Sequence, residues 1–182
     1  MAQAAQRASV ADADVFDGDL GLSPEEVEDR PSGDFIDGFL AGVAAVNAGL
    51  DPNPDARYFY SFDWIGDGEE EREDSLYAAF QVERAGLRFE ITPVRDWRDE
   101  VEALGERWLG RTLPKGAAPA LVDELVEVLD AFFAEDAVEA YRVEASGPDG
   151  SARGRSPIGA ESDHLLFESA LGRLLLEFSL DA

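Results

Sequence analysis

Side chains able to do acid–base, nucleophilic or ligating chemistry are unevenly spread over these 182 residues. Histidine occurs once, at His164, and cysteine not at all. A multi-histidine metal site, a thiolate nucleophile, a disulfide and a cysteine-ligated zinc are therefore outside what one chain can build. In a strand, Ser162 and His164 share a face and Asp163 takes the other. A serine triad needs base and orienter to converge from different directions, so these three contiguous residues do not make one.

The densest carboxylate cluster is Asp63, Asp67, Glu69, Glu70, Glu71, Glu73 and Asp74. Oxygen ligands of this kind suit Ca²⁺ or Mg²⁺, but the spacing lacks the alternate Asp/Asn, central glycine and distal glutamate of an EF-hand loop. The cluster reads instead as a solvated loop or as an anionic lip for a basic partner. The segment from Gly147 to Ser156 is rich in glycine and serine, yet it has neither GxxxxGK[ST] nor GxGxxG. Its Arg153 and Arg155 stand out in so acidic a chain, as ion-pair partners of nearby carboxylates or as contacts to a partner.

Aromatic residues supply the other candidate chemistry. Trp97 and Trp108 fall on the apolar stripe of a helix and read as core. Trp64 ends the run Tyr58-Phe59-Tyr60-Ser61-Phe62, with aromatics on both faces of one strand. Such a strand lies in the middle of a fold or offers one face to a partner, and Tyr and Trp on an exposed face are strong anchors. The candidate partner-binding set is Tyr60, Trp64, Asp67, Glu69, Glu70, Glu71, Arg153 and Arg155. No residue is assigned to catalysis, to a metal or to a cofactor.

The elements that must position these residues are legible from periodicity. Residues 1–22 read as a flexible acidic tail, with a single α+β domain over 23–182. Ser23-Pro24-Glu25-Glu26 is a helix start, ended by Pro31. A helix is predicted over 34–48, where Gly38 and Gly42 suggest close packing against a strand and Gly49 a cap. Strands are predicted over 57–65, 76–83 and 87–94, the last two as a hairpin through Arg84-Ala85-Gly86. Helices follow near 97–110 and 120–135, then strands near 138–145, 164–169 and 173–180, with a turn at Ala170-Leu171-Gly172. The fold class is α+β: antiparallel sheet of about six strands with helices packed on one face. Phe80 to Glu90 resembles Phe167 to Glu177 with one gap, so one reading is an internal duplication of helices followed by a meander.

Charge bounds the function. There are 40 acidic against 15 basic residues, a formal net charge of −25, and Lys115 is the only lysine. A field of that sign repels nucleic acid and anionic membranes and attracts basic proteins. Arginine, alanine and glycine richness is what a GC-rich genome produces, and acid excess with almost no lysine is also what a high-salt cytoplasm selects. No run of about 18 apolar residues exists to span a membrane. The first ten residues lack the apolar segment of a signal peptide, so a cytoplasmic location is expected. Asp163 to Asp181 is loosely similar to hairpins of small bacterial immunity proteins that neutralise toxins, over this short stretch and without a diagnostic motif. The leading expectation is a non-enzymatic module that engages a basic protein as an inhibitor, immunity protein or adaptor. The alternatives are a small-molecule enzyme using carboxylates from separate loops, or a structural subunit of a larger assembly in a salt-adapted cell.

Overall fold

Three long amphipathic helices form one layer. Helix α1 (Gly33–Leu50) starts where the Ser32 hydroxyl accepts the Phe35 N–H at 3.2 Å, and it buries Ile36, Leu40, Val43, Ala44 and Asn47. It runs through Gly49 rather than stopping there. Gly38 and Gly42 do not make the expected close contact: both are exposed, and a methyl group at either would touch nothing within 4 Å. The buried stripe runs down the other side of the helix. Helix α3 (Trp97–Trp108) is capped by Asp96 and buries Trp97, Val101, Leu104 and Trp108. Helix α4 (Ala118–Phe133) has Pro119 in its first turn and buries Val122, Leu125, Leu129 and Phe133. At the α3–α4 crossing a Cβ on Gly105 would lie 2.9 Å from Val122, so the absent side chain lets the two helices meet.

The computed structural model describes residues 30–82, 87–114, 116–134, 136–146 and 161–181. Among these residues the strands are β1 (Arg57–Gly66), β2 (Arg88–Pro93), β3 (Glu139–Ser146), β4 (Glu161–Ser169) and β5 (Gly172–Asp181). They form a five-stranded sheet in the order β1-β5-β4-β3-β2, with every neighbouring pair antiparallel. Tyr60, Phe62, Leu165, Phe167, Leu174, Leu176 and Phe178 point to the helical layer and share its core. The opposite face carries a smaller cluster around Leu166, Leu175, Tyr141 and Val143.

That second face holds the main departure from expectation. Residues 76–83 were expected as a strand; instead Arg72–Ala79 is a helix, α2, and Leu76 is fully buried against the second face. In so short a segment two periods compete. Leu76, Ala78 and Phe80 alternate as a strand would, while Leu76, Tyr77 and Phe80 also lie on one side of a helix. Glu73 and Asp74 in the first turn favour the helix through its dipole. Helices therefore lie on both faces, and among the described residues there are five strands, where about six were expected. The expected hairpin at 84–86 falls outside the described residues, as do the helix start at 23–26 and the tail. The two-meander repeat is not found: β2 pairs with β3, and Phe80 ends a helix where Phe167 lies within a strand. Among the described residues no helix is long and apolar enough to cross a membrane.

Candidate functional site

Strand β1 is at the sheet edge, and alternation along it decides which aromatics meet solvent. Tyr60 is 2% exposed. Its hydroxyl donates to the Trp108 carbonyl at 3.0 Å and accepts from the Asn47 amide at 2.9 Å, and its ring packs edge-on to Phe178 and Trp108. Burial pushes its phenol pKa upward. Tyr60 is thus a core residue and not a surface anchor. Tyr58, nearer the strand start, donates to the Asp51 carboxylate. Burial, helped by that bond, lifts its phenol to about 12, and the same bond lowers the Asp51 carboxyl.

Trp64 shares the strand face of Tyr60 but lies beyond the shelter of the helices and is 61% exposed. Its indole nitrogen would be 2.9 Å from a Cβ on Gly172, whose φ of +108° opens the β4–β5 turn beneath it. Phe59, on the opposite face of β1, is 56% exposed. Beyond Trp64 the chain enters a loop in which Asp67, Glu69, Glu70 and Glu71 are all exposed. Asp67 accepts the Glu69 N–H at 3.0 Å, and the Gly68 carbonyl accepts from Arg173 at 3.3 Å, so this loop is tied to the turn below Trp64. Trp64 and the exposed Asp67, Glu69, Glu70 and Glu71 follow one another along the chain at the end of β1, Trp64 and the Asp67 backbone both approach Gly172, and Tyr60 is turned into the core. Arg153 and Arg155 lie outside the described residues.

Beside Trp64 is a cleft of about 550 Å³ that reading the sequence missed. Phe62, Phe132, Leu171 and Leu174 line it, with Asp34, Asp37 and Asp63 at its margin. The only signal available was the Asp34–Asp37 spacing, which puts both on one side of α1. A second cleft of about 600 Å³ lies between the end of β2 and the α3 start. Several of its polar groups are engaged: Arg98 with Asp130, Asp136 with Arg30, and Glu139 with Tyr141, which donates to it.

The only histidine is not available for surface chemistry. His164 is 2% exposed, its ring abuts Phe80, and its Nε2 is 3.9 Å from Glu177 with no hydrogen bond. Ser61 pairs across with Glu177, and Glu177 with His164, so the glutamate lies between serine and histidine. A nucleophile relay needs the histidine in the middle. Asp163, as alternation requires, faces the other way and accepts from Trp108 Nε1 at 2.6 Å and Arg107 at 2.7 Å. Among the described residues no three His, Asp or Glu side chains gather as metal ligands would.

The most developed ion cluster holds α2 in place. Glu168 accepts from Arg72 at 2.5 Å and from Arg173 at 2.6 Å, while Arg173, buried, also donates to Ser75 at 3.0 Å. Burial raises the Glu168 pKa, but the two arginine bonds outweigh it and hold the carboxyl below its usual range. Comparison of the chain with protein-family models, with curated proteins and with solved structures finds no match.

Proposed function

We propose that this protein is a non-enzymatic binding module that engages a basic protein, as an inhibitor, immunity protein or adaptor does, in the cytoplasm. The observation that carries the reading is the contiguity of exposed Trp64 with the exposed carboxylates Asp67, Glu69, Glu70 and Glu71. The net charge of −25 steers a cation toward the surface. Steering of this kind raises association rates roughly 10- to 10³-fold and fades with salt. Trp64 and Phe59 then supply apolar area to desolvate on contact, the kind of anchor that dominates interface energies. An enzyme built on loop carboxylates would want a carboxyl pKa raised in a cleft. The carboxyl groups with displaced values, Asp51, Glu161 and Glu168, all move down and are held by tyrosine or arginine.

The test is capture of proteins from source-cell lysate at low and then high salt, read by mass spectrometry. A stoichiometric basic partner released by salt is expected, with the triple variant E69K/E70K/E71K capturing it about tenfold more slowly. Unchanged capture by that variant would remove the acidic loop from the interface. A second reading, a structural subunit, draws on Phe35, Val46 and Leu50, which α1 leaves exposed. It predicts self-association in solution that leucine-to-serine substitution at Leu50 reduces.

A further inference from the structure

The cleft beside Trp64 narrows the binding reading, on which this inference rests, to a particular side chain. Its floor includes Phe62 and Leu174, and its margin carries Asp34, Asp37 and Asp63. Asp34 and Asp37 come from the first turns of α1, three residues apart on one side of the helix, while alternation along β1 turns the Asp63 side chain to the face opposite Phe62 and Trp64. Asp37 spends one oxygen on the Phe62 N–H at 3.3 Å. Among the described residues, Asp34 has no hydrogen-bond or ion-pair partner through its side chain, and the second carboxylate oxygen of Asp37 is open. The cation at the margin, Arg30, lies 3.5 Å from Asp136 and is shared with it. The cleft therefore holds uncompensated negative charge over an apolar floor, beside an open indole.

That combination discriminates among cations. A compact, strongly hydrated ammonium gains little from an indole wall and apolar floor. A guanidinium is planar, weakly hydrated, stacks on indole and presents parallel N–H donors to carboxylates. Its methylene stem covers apolar surface on the way in. The volume of about 550 Å³ exceeds one side chain and admits flanking backbone. We infer that this cleft receives an arginine side chain of the basic partner, stacked on Trp64 with its donors toward Asp34 and Asp37.

The experiment uses the full chain, ¹⁵N-labelled, in about 0.15 M salt, where surface charges are screened beyond roughly 8 Å. The Trp64 indole resonance is identified by its loss in Trp64→Phe. The probe is N-acetyl-arginine methylamide, with the neutral citrulline and the lysine analogues as comparators. A saturable shift of the Trp64 resonance is expected with the arginine probe, with Kd on the order of 1 mM. The citrulline probe should give none, the lysine probe should bind several-fold more weakly, and D34N/D37N should weaken the arginine probe about tenfold or more. No shift, an equal shift with citrulline or lysine, or a shift that survives D34N/D37N would overturn the assignment. A Trp64 resonance that moves in unliganded Arg7→Gln would also overturn it, by giving the cleft to the chain's own N-terminal segment. If the cleft fails while capture still depends on Glu69, Glu70 and Glu71, the binding reading survives without it. If capture fails as well, both fall.

Discussion

Tyr60 and Trp64 show how far one residue's position can be read. Alternation correctly places both on the same strand face, yet one is 2% exposed and the other 61%. The difference is where the helices stop, which no local pattern encodes. What fixes Tyr60 inward is Asn47, fully buried in α1, whose amide donates to the Tyr60 hydroxyl and, at 3.1 Å, to the Trp108 carbonyl. The Asn47 side-chain oxygen in turn accepts from Thr112 at 2.5 Å. One amide thus ties α1, β1 and the end of α3 together. Replacing it with leucine keeps the branched shape but removes the donor to the Tyr60 oxygen and the Trp108 carbonyl, and leaves the Thr112 hydroxyl only the longer bond, 3.3 Å, to the backbone carbonyl of residue 47. Unsatisfied buried groups cost about 1–3 kcal/mol each. Asn47→Leu should lower the free energy of unfolding by about 2 kcal/mol in a urea titration. A loss below about 0.5 kcal/mol would mean the network contributes little net stability.

Among the elements, α2 is the one the sequence misassigned and the one electrostatics attaches. Long, strongly periodic segments such as α1, α3, α4, β4 and β5 were legible because many residues repeat one period. Residues 72–79 are too few to separate period 2 from period 3.6, and the outcome is set by contacts distant in sequence: Arg72 and Ser75 reach Glu168 and Arg173 near the β4–β5 turn. For the same reason the cleft was invisible, since its walls come from α1, β1, α4 and that turn. Glu168 makes the attachment pH-dependent. Its folded pKa is depressed, so its contribution is present above the unfolded value near 4.5 and disappears as pH falls through the lower folded value. Glu168→Gln should therefore melt below wild type at pH 7, and the gap should close as pH drops well below 4.5. A gap that stays constant with pH would show that the carboxylate charge is not what holds α2.

At the scale of the whole molecule, several of the described arginines are engaged within the chain. Arg72, Arg107, Arg111, Arg142 and Arg173 each sit against a carboxylate of the same chain. The excess acid is left facing outward, where it repels itself. Screening should relieve that repulsion mostly below about 0.2 M salt, because the Debye length is already roughly 8 Å at 0.15 M. The exposed ion pairs weaken in the same range but contribute little individually. The melting temperature should rise by about 3 °C, the equivalent of roughly 1 kcal/mol for a chain this size, and then flatten. A steep rise continuing to molar salt would instead mark the charge as an adaptation to a saline cytoplasm. The two readings of the charge separate most clearly when stability and capture are followed together. If the acidic surface serves a basic partner, the salt that stabilises the free protein is the salt that releases the partner. Melting temperature and captured partner should then move in opposite directions over one narrow window, a result that salt-induced unfolding could not produce.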